Sequence, residues 1–158
     1  MHPIVLTLAM GITATVCDIA KHPEQFNGRM VTVRSPVRIA FEDFELSAAK
    51  CEGAKIQGIW LQYGSGPKRQ PTTWCCGDLT PRDPLAVTRN DDFNLFDRLL
   101  TAAGSKPNYS EPVTATITGR IDAAQGFGHF GLFGARLVIQ RVSNVTAAAR
   151  SSPPFPSK

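Results

Sequence analysis

Residues 29–41, RMVTVRSPVRIAF, constrain the fold more than any other stretch of this chain. Val31, Val33, Val37, Ile39 and Phe41 share one parity, and Thr32, Arg34 and Arg38 share the other. That is the period of a β-strand with one face in a core and one in water. The run is longer than most strands, and Ser35-Pro36 interrupts it at its middle, where proline removes a ladder donor. The strand is therefore expected to bend or bulge there. A long bent strand can take part in two sheets at once, which is what closing a small barrel requires.

The flanking signals supply the other elements. Cys17–Lys21 can form one or two helical turns before Pro23 stops them, and Asn27-Gly28 reads as a tight turn. Phe44-Glu45-Leu46 is a short second strand. Lys55 to Tyr63 is a third, with Ile59, Leu61 and Tyr63 on one parity and Trp60 on the other. Residues 64–84 are broken by glycine and proline and read as a long exposed loop. Asn90-Asp91-Asp92 caps a helix in which Phe93, Phe96, Leu99 and Leu100 recur at helical spacing before Gly104. Pro112–Asp122, with Val113, Ala115, Ile117 and Ile121 inward, and Ala135–Val145 complete the set. The order predicts a mainly β fold: a five-stranded Greek-key barrel of OB-fold type, with one helix between strands three and four plugging an end. A plain antiparallel sheet with a helix on one face uses the same elements and is the second architecture.

A chain of 158 residues that is 42% apolar supports one domain with a real core, and no 18-residue apolar run is present to span a bilayer. Ile4 to Val16 carries no charge and has the length of a secretory signal core, although no Lys or Arg precedes it; the alternative is an N-terminal strand or buried helix. The expected organisation is an apolar leader over 1–16, the barrel domain over 17–146 and a disordered proline-rich tail over 147–158. Four cysteines allow three complete pairings. In an exported chain Cys17 to Cys51 is the expected bridge, tying the segment before the barrel to the sheet; in a cytosolic chain all four are free thiols. Export to the periplasm, envelope or medium is the favoured reading.

The run Cys17-Asp18-Ile19, Pro23, Phe26 to Arg34, then Leu46, Cys51, Ile59-Trp60-Leu61, Gly119-Arg120 and Phe127 to Gly131 resembles a family of small bacterial OB-fold-like proteins, mostly without an assigned activity and often exported. The likeness covers roughly residues 16–146. It implies a fold and a compartment and carries over no catalytic residue. One departure is Ser35, where that pattern more usually has glycine at the bend.

Few residues point to chemistry. Gly126-Phe127-Gly128-His129-Phe130-Gly131 satisfies G-x-G-x-x-G, but a strand rather than a helix follows and no carboxylate occurs after Asp122, so a dinucleotide site is not expected. The glycines instead suit a tight loop in which Phe127, Phe130 and Phe133 pack locally. His129 on that loop is a ligand-contact candidate or a structural histidine bonded to a loop carbonyl. The cysteine spacings do not form a zinc motif, and no metal or other cofactor is expected. Glu42, Asp43 and Glu45 read as solvated turn charges. The outward parity brings Arg34, Arg38 and Arg120 together, with Trp60 on the same side and Arg136 beside them. Basic side chains around an aromatic suit single-stranded nucleic acid or an anionic glycan, while the plainer alternative is a solubilising face.

The leading expectation is thus a non-enzymatic binding or structural domain of unidentified ligand or protein partner, with Arg34, Arg38, Trp60, Arg120 and His129 as ligand-binding candidates. A single-stranded nucleic-acid module is the alternative. A small enzyme using Cys75, Cys76 or His129 comes third.

Overall fold

The long alternating run folds as one strand, β2 (Met30–Ala40), and lies at the centre of the sheet topology. The computed structural model describes residues 11–66, 70–71 and 84–149, and its other strands are β1 (Ile12–Thr13), β3 (Asp43–Ser47), β4 (Gly58–Tyr63), β5 (Ser110–Phe127) and β6 (Phe133–Ala147). The sheet order runs β1-β2-β3-β4-β6-β5, and β5 returns to pair with β2, closing a five-stranded barrel. Pairing is antiparallel throughout the barrel except for β4 with β6, which run parallel. The mainly β barrel expected from the order of elements is the fold observed.

Val31, Val33, Val37 and Ile39 of β2 and Val113, Ala115, Ile117 and Ile121 of β5 are all buried, as their parity demands. Helix α3 (Asp91–Gly104) joins β4 to β5 and buries Phe93, Phe96 and Leu100, with Leu99 partly buried against the same core. Asn90 caps it by accepting from Phe93 N at 2.8 Å. The Tyr63 ring stands edge-on to Phe93 and Phe44, and its hydroxyl donates to Asp97 Oδ1 at 2.8 Å, tying the helix to the barrel. No helix among the described residues is long and apolar enough to cross a membrane.

Proline 36 falls where it does least harm. Ala14 N donates to Thr32 O on the side of β2 away from β5, and even-numbered residues up to Pro36 face that same side, where no strand among the described residues pairs with residues 33–37. The missing donor is on an open edge, which proline protects from further pairing. The irregularity sits slightly further on: Val37 pairs with Val113 and Ile39 with Ser110, so Glu111 and Pro112 of β5 together face Arg38 alone.

Three sequence boundaries shift. Ile12 and Thr13 pair in parallel with Val31 and Thr32, Ala14 and Val16 are buried, and Thr15 forms a reciprocal cap with Asp18 at the start of helix α1 (Val16–Lys21). The last residues of the apolar stretch therefore belong to the fold, because β2 offers them an unpaired edge; residues 1–10 lie outside the described residues. Helix α2 (Pro23–Phe26) follows, with proline at its first position. At the other end β6 runs to Ala147 and Ala148 N still bonds Pro112 O, while residues 150–158 lie outside the described set. Phe41 does not continue the inward parity: the chain turns at Glu42, whose φ is 62°, and leaves Phe41 exposed.

The Cys17 and Cys51 sulfurs are 2.04 Å apart, at disulfide distance, joining α1 to the segment between β3 and β4. Cys75 and Cys76 fall in residues 72–83, outside the described set, as does most of the expected 64–84 loop.

Candidate functional site

The outward arginines do not act as one surface. Arg34 donates to Thr116 Oγ1 and to the Asn144 carbonyl at 2.9 Å, bracing β2 against β5 and β6. Arg120 binds Asp122 with two nitrogens, at 2.7 and 3.0 Å, and Arg136 reaches the same carboxylate at 2.8 Å. Burial acts to raise the Asp122 carboxyl, and the two guanidinium groups outweigh it, holding the group below its ordinary value. Two of the four cations are thus bound to one internal counter-charge.

Trp60 is a correction. Its parity is outward, but it is only 6% exposed, because the β5–β6 loop folds down over it. A Cβ on Gly128 would lie 2.5 Å from the indole and 2.6 Å from the Phe133 ring, and Phe133 packs against Trp60 at a tilt, with ring centroids 5.3 Å apart. Only glycine allows that approach, and φ at Gly128 is +69°. The side chain therefore offers no open face on which a base or sugar could stack. The G-x-G-x-x-G run itself lies in the hairpin joining antiparallel β5 and β6, with a single 3-10 turn at His129–Gly131. No helix N-terminus is there to receive a pyrophosphate.

Arg38 and His129 line one cleft. Arg38 stands opposite Glu45 of β3, and its guanidinium bonds Glu45 Oε1 at 3.0 Å and covers the Tyr109 ring at 3.7 Å. His129 Nδ1 lies 3.3 Å from Glu42 Oε2. Between these groups lies a cleft of about 410 Å³, floored by β3 and walled by Tyr109 and the β5–β6 loop.

The cleft's electrostatics are unusual for a surface turn. Glu45 sits over Gly58, whose missing side chain leaves room for its carboxylate, and its side chain is almost wholly covered. Burial, then the neighbouring Asp43 charge, raise Glu45 to about 7 against the pull of Arg38. The Tyr109 hydroxyl donates to Asp43 Oδ2; that bond, with some burial, pushes the phenol up to about 12. Asp43 Oδ1 is buried with no hydrogen-bond partner, a costly state.

Two exposed apolar side chains stand at the cleft's edge: Leu132, which lines it and is 60% exposed, and Phe130, which packs on the lining His129 and is 84% exposed. Phe130 does not pack inward with Phe127 and Phe133: its φ is 52°, left-handed and strained for an aromatic residue, and its ring stands edge-on to His129.

Of the candidates read from sequence, Arg38 and His129 share this cleft, Arg34 and Arg120 are engaged elsewhere, and Trp60 is beneath the loop. The sequence reading missed Asp43, Glu45, Tyr109 and Leu132 as site residues. The acidic cluster at 42–45 was visible, but its burial was not, and nothing around Pro107-Asn108-Tyr109 marked the tyrosine. Among the described residues no group of histidine, cysteine and carboxylate side chains is arranged to hold a metal ion. No family model, curated protein or solved structure matches the chain.

Proposed function

We propose that this chain is a non-enzymatic ligand-binding barrel of an exported protein, with its site in the cleft between the β2–β3 turn, Tyr109 and the β5–β6 loop. The observation that carries the reading is Phe130. A bulky apolar side chain held out in water on a strained, glycine-framed turn costs stability twice, through backbone strain and exposed apolar area, and a contact made there recovers the second cost. OB-type barrels commonly bind through this pair of loops and the face below them. Export is supported by the Cys17–Cys51 pair at disulfide distance, since such bridges persist in oxidising compartments.

The nucleic-acid alternative needs Arg34, Arg38, Trp60 and Arg120 as a joint surface, and their partners argue against it. A titration of the 15N-labelled full chain tests both readings. A small-fragment library of aromatic, polyol and amine compounds is expected to shift amides at 38–45, 109 and 128–133. A dT20 oligonucleotide at low salt, where phosphate attraction is strongest, is expected to leave the spectrum unchanged. Oligonucleotide shifts centred on Arg34, Thr116, Arg120 and Arg136, with no fragment response at the cleft, would overturn the proposal.

A further inference from the structure

We infer that the β5–β6 loop is a proton-operated cover, latched to Glu42 by the charged imidazole of His129 and released from Trp60 when that charge is lost. The inference rests on the binding reading above for its purpose and adds how access to that site is regulated. The loop is built to pivot. β5 and β6 pair at Ala123 with Ala135 and next at Phe127 with Phe133, so residues 124–126 stand opposite Gly134 alone. Glycine lies on both sides of that break, Gly126 with φ +101° and Gly134, and lets the backbone turn there. Beyond it the turn's own bonds close within the loop, Gly131 N to Gly128 O at 3.0 Å and Leu132 N to His129 O at 3.2 Å. The loop meets the barrel where Gly128 lies on the indole and where His129 Nδ1 stands 3.3 Å from Glu42 Oε2.

The second of these contacts senses protons. The His129 and Glu42 side chains are 24% and 14% exposed, so water screens their attraction only in part. Histidine changes charge between pH 5 and 8. A neutral imidazole can still donate one bond to the carboxylate, but a bond without the charge is about half as strong. The other charged or titratable groups at the cleft are Arg38 of β2, Asp43 and Glu45 of β3, and Tyr109. Arg38 is bound to Glu45, and Tyr109 to Asp43. Glu45, raised to about 7, ionises in the same range as the latch; its new negative charge favours a charged imidazole and so opposes release. Burial of Trp60 and Phe133 keeps the cover shut in most molecules at any pH, and the latch sets how often it lifts. The lifted loop uncovers Trp60 with Phe133 against it, an aromatic floor continuous with the cleft that Phe133 already lines.

The test uses the disulfide-intact full chain, 15N-labelled and without ligand, and reads 15N relaxation dispersion, which measures a minor state exchanging in microseconds to milliseconds. Amides of Gly126 to Phe133 and the Trp60 indole N–H should report such a state, with a population that rises roughly three- to tenfold from pH 5 to pH 8. Glu42→Gln should show at pH 5 the population that the native chain reaches at pH 8. His129→Gln should be flat with pH, and Glu45→Gln should keep the rise and steepen it. No minor state at pH 8, a native pH response in His129→Gln, or loss of the response in Glu45→Gln would each overturn the inference. If the loop behaves as expected while fragments leave the cleft amides in place, the latch stands and the binding reading falls; if fragments bind and the loop shows no pH response, the latch alone falls.

Discussion

Glu45 makes stability depend on pH in an unusual direction. Its folded-state value of about 7 lies above the ordinary 4.5, so between those values the folded protein holds a proton that the unfolded chain has lost. The stabilisation is fully present below pH 4.5 and disappears as pH rises through 7. From pH 5 to pH 8 the linkage integral for this one group is about 2.5 kcal/mol of lost stability. Glu45 lines an open cleft, so solvent screens part of the desolvation and of the Asp43 repulsion that raise it, and the expected loss is about 1–2.5 kcal/mol. For a domain of this size that corresponds to a fall in Tm of roughly 3–8 °C. Carboxyls shifted the opposite way, Asp18, Glu24 and Asp122, all lie below their ordinary values and act at more acidic pH, outside this window. Glu45→Gln keeps an oxygen for Arg38 and removes the titration. Urea unfolding at pH 5, 6, 7 and 8 should show the native chain losing stability with rising pH and the variant nearly flat, with the two curves crossing so that the variant is the more stable at pH 8. A variant that keeps the native slope would refute the reasoning, since another group would then be responsible.

Other expectations follow from the same geometry. Gly128→Ala places a methyl against Trp60 and Phe133 at a left-handed position, so it should cost about 2–4 kcal/mol in chemical denaturation; a loss under about 0.5 kcal/mol would mean the loop does not sit on the indole. Phe130→Gly relieves a left-handed backbone and removes no buried contact, and should raise stability by about 1 kcal/mol while abolishing whatever binding the rim supports; a destabilised variant would show that the ring packs against the barrel. Non-reducing peptide mapping should recover Cys17 and Cys51 in one linked fragment. Cys17→Ser with Cys51→Ser should then cost roughly 3–4 kcal/mol, the constraint on a loop spanning 34 positions; a cost-free double variant would refute a bridge in solution.

Much of the barrel was legible because its signals are local. Alternation in β2 and β5 identified their buried faces residue by residue, the helix declared itself through Asn90 and the spacing of Phe93, Phe96 and Leu100, and the order of elements left few closed topologies. Pro36 was read correctly as an interruption, but its consequence was misplaced by a residue or two, because the irregularity depends on how many residues β5 supplies opposite Arg38. The inclusion of residues 12–16 in the fold depended likewise on an edge that only the assembled sheet exposes.

The candidate site was less legible for the same physical reason in a stronger form. Alternation assigns a side chain to the core or the outer face of its own sheet; it is silent on what later covers that outer face. By itself the sequence determined the mainly β class, the strand order, the plugging helix and the residues of the barrel interior. Tertiary structure alone decided that the β5–β6 loop buries Trp60, that Asp122 absorbs Arg120 and Arg136, and that Arg38, Glu45, Asp43, Tyr109 and His129 converge. The cover over Trp60 and the contacts of Tyr109 with Asp43 and of His129 with Glu42 join segments some 65 to 90 residues apart; they are set by the closing of the barrel, and local pattern carries no record of that closure.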